Sequence, residues 1–339
     1  MLNLLPWLLH GSKRKIYQLK QTDDAWIVVQ DLDITLLYVL CTCACGNPSE
    51  LHHRPSLSSL NYTLTLTTTR PHNAPRCLLV IVALRLLFNY LFSSAANRIA
   101  NRRGTTPVHR DGKKLLEETW VLCGNIVMLS LAAFIMLTPR NGGCWFGDIK
   151  PCLVGWPNHP TDPLVTIYYA LELAWYCHLL LKPLFKYGQV DGRDMMIHHC
   201  ASMALLIASC GLNLTRMGII VLTLFGISNP ALHAAKIANQ LHLKFRVPAF
   251  GVFAVAFLVT RVMLVPPFVL LPAAIHSRDW VGYAVRDFHT AYIALNILLV
   301  ILYCMQLVWM WAIGRVLKHA NDPEKASRVS AAVDPAKRY

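Results

Sequence analysis

The sequence predicts an all-α, polytopic membrane protein with about seven transmembrane helices, and three observations carry that prediction. Charged residues make up only 15% of the 339 positions while hydrophobic ones make up 55%; an ordinary soluble domain carries roughly a quarter charged residues. Mean hydropathy is +0.41. The excess of 32 Lys and Arg over 18 Asp and Glu falls in short stretches between long apolar runs. That pattern marks the cytoplasmic side of a membrane protein rather than a nucleic-acid footprint. The same composition excludes disordered, collagen-like and small disulfide-scaffold classes.

A transmembrane helix needs roughly 20 predominantly apolar residues. The runs that meet this length are about Arg76–Ala96, Glu118–Thr138, Pro163–Phe185, Met195–Leu212, Met217–Ala235, Val247–Ile275 and His289–Val316. Pro266, Pro267 and Pro272 interrupt the sixth, which is expected to kink or to break into a span plus a re-entrant piece. The fourth and fifth are separated by only a few residues around Asn213–Arg216 and form a tight antiparallel hairpin.

Basic residues in alternate loops set the orientation. One side holds Arg98, Arg102, Arg103, Arg110, Lys113 and Lys114, then Lys182, Lys186 and Arg193, then Lys236, Lys244 and Arg246, and a basic tail from residue 318 to 339. The other side holds only Arg140, Lys150, Arg216, Arg278 and Arg286. The amino end is therefore expected to be luminal and the carboxyl end cytoplasmic.

Residues 1–75 read as a leader and linker outside the working domain, which runs from 76 to 317. The apolar start, Met1–His10, precedes its basic residues, the reverse of a signal peptide. Cys41, Cys43 and Cys45 lack a second Cys or His pair at zinc spacing, so no metal site is assigned. Asn61 and Asn213 both open glycosylation sequons on the luminal side, the second too near the bilayer to be modified. Cys144 and Cys152 share a luminal loop and could pair. Gly211 and Gly218 are expected to serve close helix packing.

Ionisable groups inside spans default to functional hypotheses. His198 and His199 open the fourth span, and adjacent residues point about 100° apart, so one can face a pocket while the other bonds a neighbouring helix. Asp194 lies four residues before His198, on the same face, where a carboxylate could orient the imidazole. Glu172 sits deep in the third span beside Trp175 and Tyr176, as a structural neutral carboxyl bonded to another helix or as a catalytic group. Arg85 and Arg261 are expected to snorkel or to pair with Glu172. His233 and His289 are read as structural.

These residues resemble the ceramide synthases (longevity-assurance proteins) of the TLC-domain superfamily, from about Pro75 to Val316. Lys113–Trp120 is similar to the family's basic entry to a span, and Trp156-Pro157 with Tyr168-Tyr169-Ala170-Leu171-Glu172-Leu173 to its aromatic-Pro and Tyr-Tyr-x-x-Glu-Leu elements. Arg193, Asp194, His198 and His199 resemble the Arg-x-Asp and His-His core, with a shorter Asp-to-His spacing. Ser209, Asn213, Arg216 and Gly218, then Ala234-Ala235-Lys236 and Thr260-Arg261, follow in the family's order. Downstream of the histidines the family carries two aspartates; here the positions are Gly226 and Asn229, and Ser228-Asn229-Pro230 looks like the Ser-x-Pro element of other TLC-domain proteins.

The resemblance implies a TLC-like bundle in the endoplasmic reticulum membrane that transfers a fatty acyl group from acyl-CoA, as co-substrate, to the amine of a sphingoid base. No bound cofactor, metal or nucleic acid is expected; membrane lipids surround the protein, and a homo- or heterodimer is compatible with it. His198, His199 and Asp194 would be catalytic. Glu172, Tyr176, Trp175, Asn213, Arg216, Ser228 and Asn229 would line the substrate cavity. The alternative is a non-catalytic TLC-domain protein that binds lipid or adjusts membrane lipid composition.

Overall fold

In a computed structural model, residues 73–103, 112–185, 188, 191–280 and 289–319 are described. The leader with Asn61 and Cys41–Cys45, and the tail beyond 319, lie outside them. The described residues form seven long helices: α1 (Ala74–Arg103), α2 (Gly112–Leu137), α3 (Pro163–Phe185), α4 (Arg193–Gly211), α5 (Thr215–Gln240), α6 (Arg246–Trp280) and α7 (His289–Lys318). Six of these are long and apolar enough to cross a membrane. The exception is α4, the 19-residue helix that carries His198 and His199. The described residues form no β-strand beyond one isolated bridge between Trp145 and Asp148.

Local sequence explains where α3 starts. Pro163 sits at the first helical position, where a missing N–H costs nothing. Asp162 precedes it, and its carboxylate accepts the Leu164 N–H at 2.8 Å, filling one of the donors a helix start leaves open.

The prolines of the sixth span do not break it. α6 runs on for 35 residues, and the expected re-entrant break is replaced by π-helical turns at Leu258–Met263, Pro266–Leu270 and Pro272–His276. The physical reason lies in the backbone acceptors. Pro266 and Pro267 have no N–H to give to the Val262 carbonyl, and a bare carbonyl in a span is costly. The Tyr303 hydroxyl, from α7, donates to it at 3.2 Å. Tyr292 supplies the Ala274 carbonyl, and Ser277 and Asn296 supply that of Ala273. α7 thus splints α6.

Helix α2 packs along α5, α5 along α6, and α1 against α2 and α3; α4 is held between α3 and α7. One apolar cluster joins Ile81, Val121, Ala174, Trp175 and Leu179 of α1, α2 and α3. Another joins the α2–α3 loop (Cys144, Cys152, Leu153, Trp156) to Ile220 and Leu224 of α5 and Val269 of α6. Most of the α1 surface stays exposed and apolar, as a lipid-facing helix requires.

Buried charge stitches the basic ends of the helices together. Glu117 of α2 accepts from Arg85 of α1 at 2.5 Å and from Lys182 of α3 at 3.0 Å. Glu118 meets His233 at 2.6 Å and Lys236 at 3.2 Å on α5. Arg85 therefore pairs with Glu117 rather than with Glu172. Arg261 bonds the Asn229 side chain and the Phe225 carbonyl, and Gln306 at 3.1 Å. Long-range partners of this kind leave no trace in local sequence periodicity.

Candidate active site

A largely apolar cavity of about 1200 Å³, including its open end, lies between α3, α4, α5, α6 and α7. His198 stands on its wall near the start of α4, and Leu153, Trp156, Leu212 and Leu214 lie towards the other end. The rise along α4 from His198 to Leu212 is roughly 20 Å at 1.5 Å per residue, room for a long hydrocarbon chain. Hydroxyl groups punctuate the wall: Ser202, one turn from His198 on α4, Tyr176 on α3, and Tyr169 and Ser209 further along. Ser209 Oγ donates to the Tyr169 hydroxyl at 3.3 Å, and Tyr169 donates to the Thr215 carbonyl at 3.1 Å.

The far end is closed by the loop between α2 and α3. Cys144 and Cys152 form a disulfide with a Cα–Cα distance of 4.9 Å. Trp156 Nε1 donates to the Leu212 carbonyl at 2.6 Å. Asn213 turns the α4–α5 hairpin at φ 55°, a left-handed conformation that Asn tolerates. Its amide donates to the Pro157 and His159 carbonyls at 2.7 and 2.9 Å, and its oxygen accepts from Thr161 at 2.8 Å. Arg216 donates to the Pro151 and Pro160 carbonyls. Asn213 and Arg216 thus hold the lid of the cavity and do not line it. The Asn213 amide is 3% exposed and fully bonded, so this sequon is occupied by structure. Burial, reinforced by the Arg216 guanidinium, pulls the His159 imidazole down to about 4.

The two histidines divide as their angular spacing predicts. His198 faces the cavity and packs edge-on against Trp309 of α7, centroids 5.0 Å apart. His199 is buried, its ring 5.8 Å from that of His198 and 5.6 Å from that of Tyr176. Among the described residues, neither Nδ1 has a hydrogen-bond partner. Asp194 is exposed in the first turn of α4, and no hydrogen bond from it to His198 is found among the described residues. The carboxylate near the pair is Asp191, just before the helix. Its Oδ2 lies 3.8 Å from His199 Nε2 and 2.8 Å from Lys182 Nζ.

The other expected cavity residues are spread more widely. Tyr176 is on the wall. Trp175 points the other way, its ring 6.0 Å from Trp120 and 5.3 Å from His178. Glu172 is buried, and accepts from the Tyr168 hydroxyl of its own helix at 2.7 Å rather than from another helix. Ser228 is fully buried, and Asn229 bridges Asn125 at 2.9 Å and Arg261. Gly218 is a true packing glycine, since a Cβ there would lie 1.6 Å from the Tyr169 hydroxyl, whereas nothing approaches Gly211 within 4 Å. Sequence reasoning did not place Ser202, Ser209 and Tyr169 on the cavity wall. The first two lie at helical spacing from His198, on its face of α4, which is the signal that would have found them.

Seven helices, five of them around an apolar cavity with an imidazole on its wall, define a class of multi-pass membrane protein. The TLC-domain profile matches residues 114–315, so the chain belongs to the TLC-domain family. It is similar to human ceramide synthase 5, at 29% identity over 188 residues, 54% of this chain and 46% of that protein. Bovine ceramide synthase 4 is 30% identical over 210 residues, 59% and 49% of the two chains. Sphingosine N-acyltransferase lag1 of Schizosaccharomyces pombe is 25% identical over 196 residues, 56% and 50%. The chain spans about half the length of the curated relatives it matches.

Proposed function

We propose that the protein is a ceramide synthase-like N-acyltransferase, transferring a fatty acyl group from acyl-CoA to the amine of a sphingoid base. The observation that carries this reading is His198, an imidazole on the wall of a cavity long enough for a hydrocarbon chain. The similarity to ceramide synthases supplies the reaction class. In the reaction, the ammonium of the base gives its proton to His198. Once water has relieved His198 of that proton, the free amine attacks the thioester carbonyl; as the C–N bond forms and the C–S bond breaks, the nitrogen gives its surplus proton to His198. The imidazolium then returns the proton to the departing CoA thiolate. Neutral imidazole suits this exchange because its ordinary pKa lies close to the working pH.

The placement in the endoplasmic reticulum membrane, with a luminal amino end and a cytoplasmic carboxyl end, belongs to the same proposal. It is supported by the basic loops and by the disulfide in the α2–α3 loop, since disulfides persist in oxidising compartments.

A second reading, lipid binding without transfer, is favoured by Gly226 and Asn229, which stand where the synthases carry aspartates. One experiment separates the two. Membranes of cells lacking endogenous ceramide synthase, expressing this chain, receive labelled sphinganine and a panel of acyl-CoAs. Labelled ceramide supports the enzyme. A folded, inserted protein that yields none with any acyl-CoA leaves the lipid-binding reading.

A further inference from the structure

We propose that Asp191 is the positioning carboxylate of the histidine pair, acting on His198 through His199 in place of the aspartates replaced by Gly226 and Asn229. The inference rests on the acyl-transfer reading above. Its ground is the chain of contacts that begins at Arg85 and ends at the cavity wall. Arg85 and Lys182 both engage Glu117, and Lys182 also engages Asp191 at 2.8 Å. Asp191 in turn lies within ion-pair range of His199 Nε2 at 3.8 Å. The His199 ring abuts both His198 and Tyr176, two residues of the cavity wall.

Each link has a physical purpose. Lys182 is 2% exposed at its side chain, and so buried an ammonium needs its anions. By holding Asp191 it fixes a carboxylate in the loop between α3 and α4, which no helix would otherwise position. Burial alone would push the Asp191 carboxyl up; the His199 imidazole and the Lys182 ammonium beside it outweigh that and hold it well below the usual carboxylate range. A fixed negative charge therefore stands next to the imidazole pair. At 3.8 Å from Nε2 it favours a protonated or Nε2–H form of His199 that points towards it. It also offsets the positive charge that arises when His198 takes the proton of the amine. Glu172, a buried carboxyl further back along α3, is turned to Tyr168.

The contrasting role is a strut, in which Asp191 only satisfies Lys182. Double-mutant cycles on purified full-length protein distinguish them. Asp191→Asn is expected to lower kcat for acyl transfer to sphinganine at least tenfold, with KM for acyl-CoA changed less than about twofold. Asp191→Glu should restore part of that rate. Combined with His199→Gln, Asp191→Asn should add no further loss, because both break the same link. Where Asp191→Asn fails to accumulate, Lys182→Gln/Asp191→Asn removes the pair together and takes its place in the cycle.

A rate within threefold of the parent, or losses that multiply with His199→Gln but not with Lys182→Gln, would overturn the assignment. So would a larger loss from Asp194→Asn than from Asp191→Asn. A parent with no turnover on any acyl-CoA overturns the acyl-transfer reading itself and this role with it, so the two failures are told apart.

Discussion

Asn229 on α5 accepts a hydrogen bond from the buried guanidinium of Arg261 on α6. Arg261 is only 6% exposed, and its other contacts are the Phe225 carbonyl, Gln306 and the faces of Phe225 and Phe257. All of these are neutral. Pro230 lies one residue beyond Asn229, inside α5, and removes the N–H that the Gly226 carbonyl would accept. Arg261 braces this weakened turn by donating to the neighbouring Phe225 carbonyl. Asn229→Ala should therefore destabilise the protein by about 2 kcal/mol, the cost of leaving a buried donor without its acceptor. Asn229→Asp, which keeps the acceptor and adds a counter-charge, should cost less. Thermal unfolding in one detergent orders the two variants.

The two glycines at the α4–α5 hairpin should behave oppositely. Gly218→Ala would drive a methyl into the Tyr169 hydroxyl and should cost about 1–3 kcal/mol through overpacking. Gly211→Ala meets nothing within 4 Å and should be neutral, or mildly stabilising through helix propensity. Paired melting curves check this.

The disulfide between Cys144 and Cys152 closes a short loop, with a sequence separation of 8. Loop-closure entropy predicts a loss of about 2–3 kcal/mol when it is removed. Cys144→Ser/Cys152→Ser should lower the melting temperature. Thiol labelling of the parent should find these two cysteines unreactive until a reductant is added.

His159 carries a pH dependence whose sign is fixed. Its folded value of about 4 lies below the ordinary 6.5, so the unfolded chain binds the proton first as pH falls. Stability tied to this group is therefore intact above about pH 6.5 and erodes between 6.5 and 4, flattening below. Stability measured across that window should decline in the parent, and the decline should be shallower in His159→Gln.

The helices were legible because their cause is local. Pro163–Phe185 follows from one proline, one cap and an unbroken apolar run, and the division of labour between His198 and His199 follows from helical geometry. The prolines of α6 were visible too, but not their consequence. Whether they break a span depends on whether a neighbour can satisfy the freed carbonyls, and Tyr303 does so from a helix some forty positions away. The carboxylate shows the same limit. Asp194 has the right spacing on the helix. Asp191 is brought to His199 by Lys182 and, through Glu117, by Arg85, contacts that span α1, α2 and α3 and exist only once those helices have packed.

The claim at the centre of this account is that His198 is the reacting imidazole and His199 its support. Single-turnover acyl transfer from acyl-CoA to sphinganine, in the parent and in His198→Ala and His199→Ala, tests it most directly. The account predicts a loss of about 100-fold or more for His198→Ala, in the range expected for removal of a general base, and a smaller loss for His199→Ala. Retention of turnover in His198→Ala, with abolition in His199→Ala, would contradict it.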